Sequence, residues 1–471
     1  MVPRLPPGVC FGDSGGLQLA SSTLGITHPP GYAVYASLGY LVTRLPWVDP
    51  AYAVTLACLI VGIAGVLLSA ALQIQLGVHA AAACAFSLLF AANPRVWSNL
   101  QVAEVYLPTL TLLAASACLL VFYERTGRRG CLWLAALCWG LALAARPPVL
   151  FTLPGVLAAW GRARRRWERS WRQGLTSFLL AAVSAALPGV YALGYLWVRD
   201  TPATRYNYIE QYNEEFGLLP PTSAGPGAKW ERVLWLSSAR QFAGQMGNSW
   251  SGVRSKLRWM GYELSSYRPV TLWILALAAL GAVVAFRRSH TGFCMLLGMA
   301  AGNVVFLCLY RVHGDAADTL ALLLAATVFA GLAVSAVLPA RAGRWRGIAC
   351  LALWASTAAY TMLDASDRRC ASAAADATVF LTEVDMATLP PRAILCATWH
   401  HATALWYAQK VLTRRDDVRI VNARVSEWQR LTRGTSDRPV FATVRPEPDQ
   451  HPGATAFRNL WRLDEPPATS P

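Results

Sequence analysis

The feature that most constrains this chain is a succession of apolar segments that leaves room for little but a membrane bundle. They run near 51–75, 79–93, 103–123, 131–145, 147–160, 175–197, 270–286, 292–309, 317–338 and 347–363. A helix that crosses the hydrocarbon core needs about 20 apolar residues. Several segments are shorter, so some are expected to be tilted, interfacial or half-helices. Arg146-Pro147-Pro148 interrupts one long apolar run, and a proline pair there ends a helix. Charged residues are only 14% of the chain, against about 25% in soluble domains. A string of soluble globular domains is excluded. The expected fold is an all-α polytopic membrane bundle over residues 1–363, followed by a small C-terminal α/β soluble domain over 364–471.

The net charge of +16 is unevenly spread. Its densest run is RARRRWERSWR at Arg162–Arg172. Flanked by apolar spans, such a run reads as a cytoplasmic positive-inside loop and not as a nucleic-acid surface. The other basic groups are Arg125/Arg128/Arg129, Arg287/Arg288 and Arg341/Arg344/Arg346. All fall on one side only if 131–160 is two crossings that meet at Arg146. The opening loop 1–50, the 94–102 loop, the Arg146 turn, the 199–268 loop, Arg311–Asp315 and the tail then share the outer face. Asp13, His28, Glu104, Arg146 and Asp315 are expected to converge there. The protein is read as a multi-pass integral protein of the inner or plasma membrane. Its site and tail are extracytoplasmic.

Within the 199–268 loop, Lys229–Met246 has the pattern of an amphipathic interfacial helix. In the tail, Arg392–Ala397, Val418–Ala423 and Arg438–Thr443 read as strands. His400–Arg414 and Ser426–Thr432 read as helices between them, the alternation of a small parallel sheet. It has no glycine-rich phosphate loop, and the sequence assigns it no chemistry. His400-His401 and the 19 tryptophans read as mostly structural or as membrane-belt residues. The 11 cysteines lack metal-ligand spacing, so neither a structural metal nor a cofactor is expected.

The polar chemistry is concentrated in one stretch, GDSGGLQLASSTLGITHPPGYAVY at Gly12–Tyr35. It sets Asp13 in a glycine-rich turn and His28 beside Pro29, Pro30, Gly31 and Tyr32. Prolines fix φ, and Pro29 pushes His28 toward an extended conformation. The bland alternative is a helix N-cap at Asp13 followed by a proline turn.

This stretch, with W-S-N-L-Q-V-A-E-V-Y at Trp97–Tyr106 and G-L-A-L-A-A-R at Gly140–Arg146, resembles a membrane family whose animal members are O-mannosyltransferases. The likeness continues weakly through Leu234–Phe242 and Tyr310–Asp315. It implies a GT-C type glycosyltransferase that uses a lipid-phosphate-linked sugar at the outer face. In such enzymes an acid in the first outer loop is the catalytic base, a position that matches Asp13. Two positions depart from the pattern. Gly16 stands where a second acid is usual, and Arg146 where a histidine is more usual. A membrane helix precedes the first outer loop in such enzymes. MVPRLPPGVCF holds three prolines and cannot span. The expectation is therefore that the natural protein starts upstream of Met1.

The resemblance implies an inverting, metal-independent transfer. A base near the anomeric carbon takes the proton of an acceptor hydroxyl. Arg146, with Arg240 or Arg311 nearby, meets the departing lipid phosphate, for which an arginine fork is suited. His28 hydrogen-bonds sugar or phosphate, and Tyr32 is a stacking wall. Ser14, Glu104, Tyr106 and Asp315 complete the candidate substrate set. Each has a plain alternative: a helix-terminal acid at Glu104, snorkelling at Arg146, a cap at Asp315. The expected partners are a polyprenyl-phosphate sugar donor, a protein Ser/Thr or glycan acceptor, and the bilayer. A transporter or lipid-carrier flippase, or an inactive structural member, are the competing classes. A transporter calls for ionisable groups at the bilayer midplane.

Overall fold

The computed structural model describes residues 5–168, 170–266, 269–311, 316–337, 375–413, 415–432, 438–446 and 454–463. Asp315, Cys370, the 347–363 segment and the basic group at Arg341–Arg346 lie outside the described residues.

The opening stretch is helical. α1 is Gly12–Thr23 and α2 is Ala33–Val42. The apolar runs then form α3 (Pro50–Gln75), α4 (Ala80–Ala92), α5 (Pro94–Leu100), α6 (Tyr106–Thr126), α7 (Arg129–Ala145), α8 (Leu153–Arg164) and α9 (Trp171–Arg199). The 199–268 segment, expected from the sequence as an outer loop, carries α10 (Tyr208–Phe216), α11 (Pro226–Ser237) and α12 (Trp250–Ser266). α13 (Pro269–Arg288), α14 (His290–Leu309) and α15 (Leu320–Val337) close the bundle. Among the described residues, α3, α6, α9, α14 and the run Ala317–Val337 are long and apolar enough to cross a membrane. The chain is an integral membrane protein.

Lipid is as apolar as leucine, so helix association there depends on close packing at small residues. Gly155 of α8 and Gly298 of α14 meet backbone to backbone. A Cβ on Gly155 would lie 2.4 Å from the Gly298 Cα. α9 turns its apolar surface outward, with Leu179, Val183, Leu187 and Val190 all more than half exposed, the mark of a lipid-facing helix.

The two ends of the bundle differ in charge. At one end Trp167 donates to the Glu124 carbonyl, Tyr123 and Ser289 donate to the carboxylates of Glu168 and Glu124, and Arg288 donates to the Gly77 carbonyl. The arginine-rich loops at 125–129, 162–172 and 287–288 therefore gather at this end. The Arg146 break, the head of α15 and the α1–α2 connection gather at the other.

The tail contributes α16 (Thr378–Val384), α17 (Trp399–Tyr407) and α18 (Val425–Thr432). Its strands are β1 (Ile394–Ala397), β2 (Arg419–Asn422), β3 (Val440–Ala442), β4 (Thr455–Phe457) and β5 (Leu460–Arg462), in the order β2-β1-β3-β5-β4. The first three pair in parallel, as expected. The β4–β5 hairpin is antiparallel and has no counterpart in the sequence reading. Lys229–Met246 is not one helix. It breaks at Ala239, where φ is +52°, into α11 and a 3-10 segment Arg240–Gln245. α11 buries Val233, Trp235 and Leu236 inside the outer loop and exposes Leu234.

Candidate active site

Asp13 does not sit in a loop. It lies in the first turn of α1, at the positive end of the helix dipole, and half its side chain is exposed. Of the glycines around it only Gly12 has positive φ, +60°. Gly15 and Gly16 are helical and serve close packing instead. A Cβ on Gly16 would lie 3.1 Å from Thr27 Oγ1 and 3.6 Å from His28 Nδ1, so an acid at that position would intrude on the Thr27–His28 pair. The second carboxylate tied to α1 comes from elsewhere: Ser14 Oγ donates to Glu104 Oε1 over 2.9 Å.

His28 and Tyr32 stand behind Asp13. His28 Nδ1 is 3.0 Å from Thr27 Oγ1, and its Nε2 faces Asp13 Oδ2 at 3.7 Å, longer than a hydrogen bond. Burial lowers the His28 pKa, with the Asp13 charge pulling the other way, so the ring is held neutral at physiological pH. Tyr32 caps α2 with φ +43°, a left-handed conformation that costs a non-glycine residue about 1–2 kcal/mol. It turns the ring edge-on to His28 at 5.0 Å. Burial, then the charges of Asp13 and Glu104, raise the Tyr32 phenol, while Arg146 opposes them. Tyr32 thus lies within electrostatic reach of all three charged candidates.

Arg146 caps the C-terminal end of α7. It forms an ion pair with Asp318, and its guanidinium lies 4.6 Å over the Tyr106 ring. The acid that meets Arg146 is Asp318, which the sequence did not single out. Arg240 is exposed at the start of its 3-10 segment and contacts none of these side chains among the described residues. Arg311 is exposed and donates to the Gly247 carbonyl.

Three partners of the site have no signal in the opening motif. Trp399, the first residue of α17, donates its indole N–H to Asp13 Oδ1 at 2.6 Å. The tail, to which the sequence assigns no chemistry, thus reaches the first turn of α1. The reason is topological. The order β2-β1-β3 makes β1 a switch point, and sheets of this kind bind ligands in the crevice beyond the carboxyl ends of their strands. Trp399, His400 and Thr443 lie at that edge. The first turn of α1 fills the crevice: Phe11 stacks on His400 at 4.5 Å, and His401 meets Thr443 Oγ1 at 3.0 Å. Glu215 of α10 docks on the same edge, accepting from the Asn422 N–H at 2.7 Å. Arg232, fully buried, grips Asp200 bidentately at 2.8 and 3.0 Å and also binds Glu210. That cluster locks α10 and α11 against the end of α9. The Ile26 N–H donates to the Tyr206 carbonyl and the Tyr208 N–H to the Ile26 carbonyl, which lays the outer loop beside the proline turn.

Residues 13–169 match the family described as Protein O-mannosyl-transferase TMEM260 N-terminal domain. Over 247 residues the chain is 29% identical to protein O-mannosyl-transferase TMEM260 of Mus musculus, an alignment of 50% of this chain and 34% of that one. The chain thus spans about a third of the length of that relative. ArnT from Cupriavidus metallidurans bound to undecaprenyl phosphate superposes with a TM-score of 0.57 at 15% identity, over 97% of this chain and 94% of that one. AglB from Archaeoglobus fulgidus, in complex with an inhibitory peptide and a dolichol-phosphate, superposes with a TM-score of 0.55 at 10% identity, over 93% and 66%. The chain has the GT-C fold of these proteins, and its residues 13–169 are similar to the TMEM260 N-terminal domain.

Proposed function

We propose that this protein transfers a sugar, with mannose the first candidate, from a polyprenyl-phosphate donor to an acceptor hydroxyl, with protein Ser or Thr the first acceptor to test. Asp13 is the general base. The acceptor O–H gives its proton to Asp13 as the oxygen bonds to the anomeric carbon. The bond from that carbon to the phosphate oxygen breaks, and the lipid phosphate leaves with the electron pair. This is a single displacement with inversion, and it occurs on the extracytoplasmic face.

The observation that carries this reading is that Asp13, held by Trp399, and Arg146, at the membrane break, both lie within electrostatic reach of Tyr32. The rim acid suits a hydroxyl arriving from the aqueous side. The arginine at the membrane break suits a phosphate arriving from the lipid side. Ser14, Glu104, His28 and Tyr106 line the interval as candidate substrate contacts. The donor class is suggested by the lipid phosphates bound to the two fold relatives, and mannose by the name of the mouse relative. The charged candidates gather at one end of the bundle, which argues against a transporter. The test is a mass-spectrometric comparison of outer-face glycans in cells with and without the gene. Loss of one defined O-linked sugar supports the reading, and an unchanged glycan profile counts against it.

A further inference from the structure

We propose that Trp399 is a positioning residue for Asp13, so that the catalytic site is completed by the C-terminal sheet region. This rests on the transfer reading in which Asp13 is the base. Its own support is geometric. The indole N–H engages Oδ1 alone. Among the described residues, Oδ2 has one distant charged neighbour, His28 at 3.7 Å. One oxygen is anchored and the other is left to accept a hydroxyl proton.

The anchor is itself fixed. Trp399 packs edge-on to Tyr208 at 5.7 Å and to His28 at 5.4 Å, so a residue from the outer loop and one from the proline turn hold the ring. Its backbone follows β1 directly. The tail is tied to the residues before Asp13 by two hydrogen bonds, Phe11 N–H to Ala375 O at 2.9 Å and Ala377 N–H to Val9 O at 3.0 Å. An exposed aspartate on the first turn of a helix is otherwise free to change rotamer. Holding a base in one rotamer is a large part of what a site contributes to rate, and displacement by about 1 Å costs roughly 100-fold.

Asp13 is faced by titratable groups on every side. His28 comes from the proline turn, Tyr32 from α2, and Tyr206 and Tyr208 from the outer loop. Tyr310 comes from the end of α14, and His400 from α17. Glu104 lies beneath Ser14. Burial raises Tyr32, Tyr206 and Tyr208 and lowers His28 and His400.

The test uses the purified full chain with undecaprenyl-phosphate mannose and a Ser/Thr-containing peptide. Trp399→Phe keeps the ring and removes the N–H. It is expected to lower kcat by about 10- to 100-fold while leaving the donor KM within about twofold. Trp399→His restores a ring N–H and should recover part of the lost kcat. It also guards against a folding defect in the phenylalanine variant. A parent-like kcat in Trp399→Phe, with Asp13→Asn inactive, overturns the proposal and leaves the base assignment standing. Parent-like transfer by Asp13→Asn defeats both.

Discussion

Arg146 and Asp318 form an ion pair across the mouth of the bundle, joining the break after α7 to the head of α15. Both side chains are largely shielded, at 17% and 7% exposure, so removing one partner leaves a poorly solvated charge and is costly. A donor phosphate that reaches Arg146 must share the guanidinium with Asp318. Arg146→Lys keeps the charge but loses the fork, and it should raise the donor KM by about tenfold with the acceptor KM little changed. Asp318→Asn releases the arginine and should lower the donor KM. Steady-state kinetics with varied donor checks both. An unchanged donor KM in each variant would mean that the pair only closes the helix break.

The contact between the outer loop and the tail should loosen as pH rises. The Glu215 carboxyl is pushed up to about 8, chiefly by burial against β2, while the Asn422 N–H and Arg419 work in the opposite direction. Its pKa is above the ordinary value of 4.5, so the folded form keeps a proton that the unfolded form has lost between those two values. The contribution is present below about pH 4.5 and is lost as pH climbs through about 8. Hydrogen exchange at the Asn422 amide, corrected for its intrinsic rate, should show protection falling across this range. In Glu215→Gln the fall should vanish. A flat profile in the parent would exclude the linkage.

The sidedness of the bundle predicts a labelling result. The arginine-rich loops share one end, and Asp13, the outer loop and the tail share the other. With the basic end cytoplasmic, the tail is outside. Cys396 cannot report this, because it is buried in β1. Val379 in α16 is 67% exposed. Val379→Cys should react with a membrane-impermeant thiol reagent on intact cells, above the level of the parent. Labelling only after permeabilisation would reverse the assigned orientation.

The membrane part was legible because apolar length is set by the bilayer, and basic loops sort to one end. The segments near 51–75, 175–197 and 292–309 became α3, α9 and α14 within a few residues. The proline turn was legible because prolines fix the backbone and a glycine frees it to positive φ, whatever surrounds them. The contacts that finish the site were not. Nothing local marks Asp318 as the acid that meets Arg146. Gly15 and Gly16 read as loop formers, yet they serve a helix crossing that exists only once α17 is in place. Trp399 was one tryptophan of 19. Its position depends on a strand order that no local pattern carries. Arg232 lay in an amphipathic stretch, and the carboxylates that satisfy it are 22 and 32 positions away.

The central claim is that Asp13 takes the acceptor proton, and one substitution addresses it most directly. Asp13→Asn preserves size and can still accept from the Trp399 indole, so the fold should hold. Removal of a general base typically costs about 10²–10⁴-fold. Transfer of sugar from a polyprenyl-phosphate donor to a Ser/Thr peptide by the purified variant should fall by at least about 100-fold, with donor binding retained. Transfer at close to the parent rate would contradict the account.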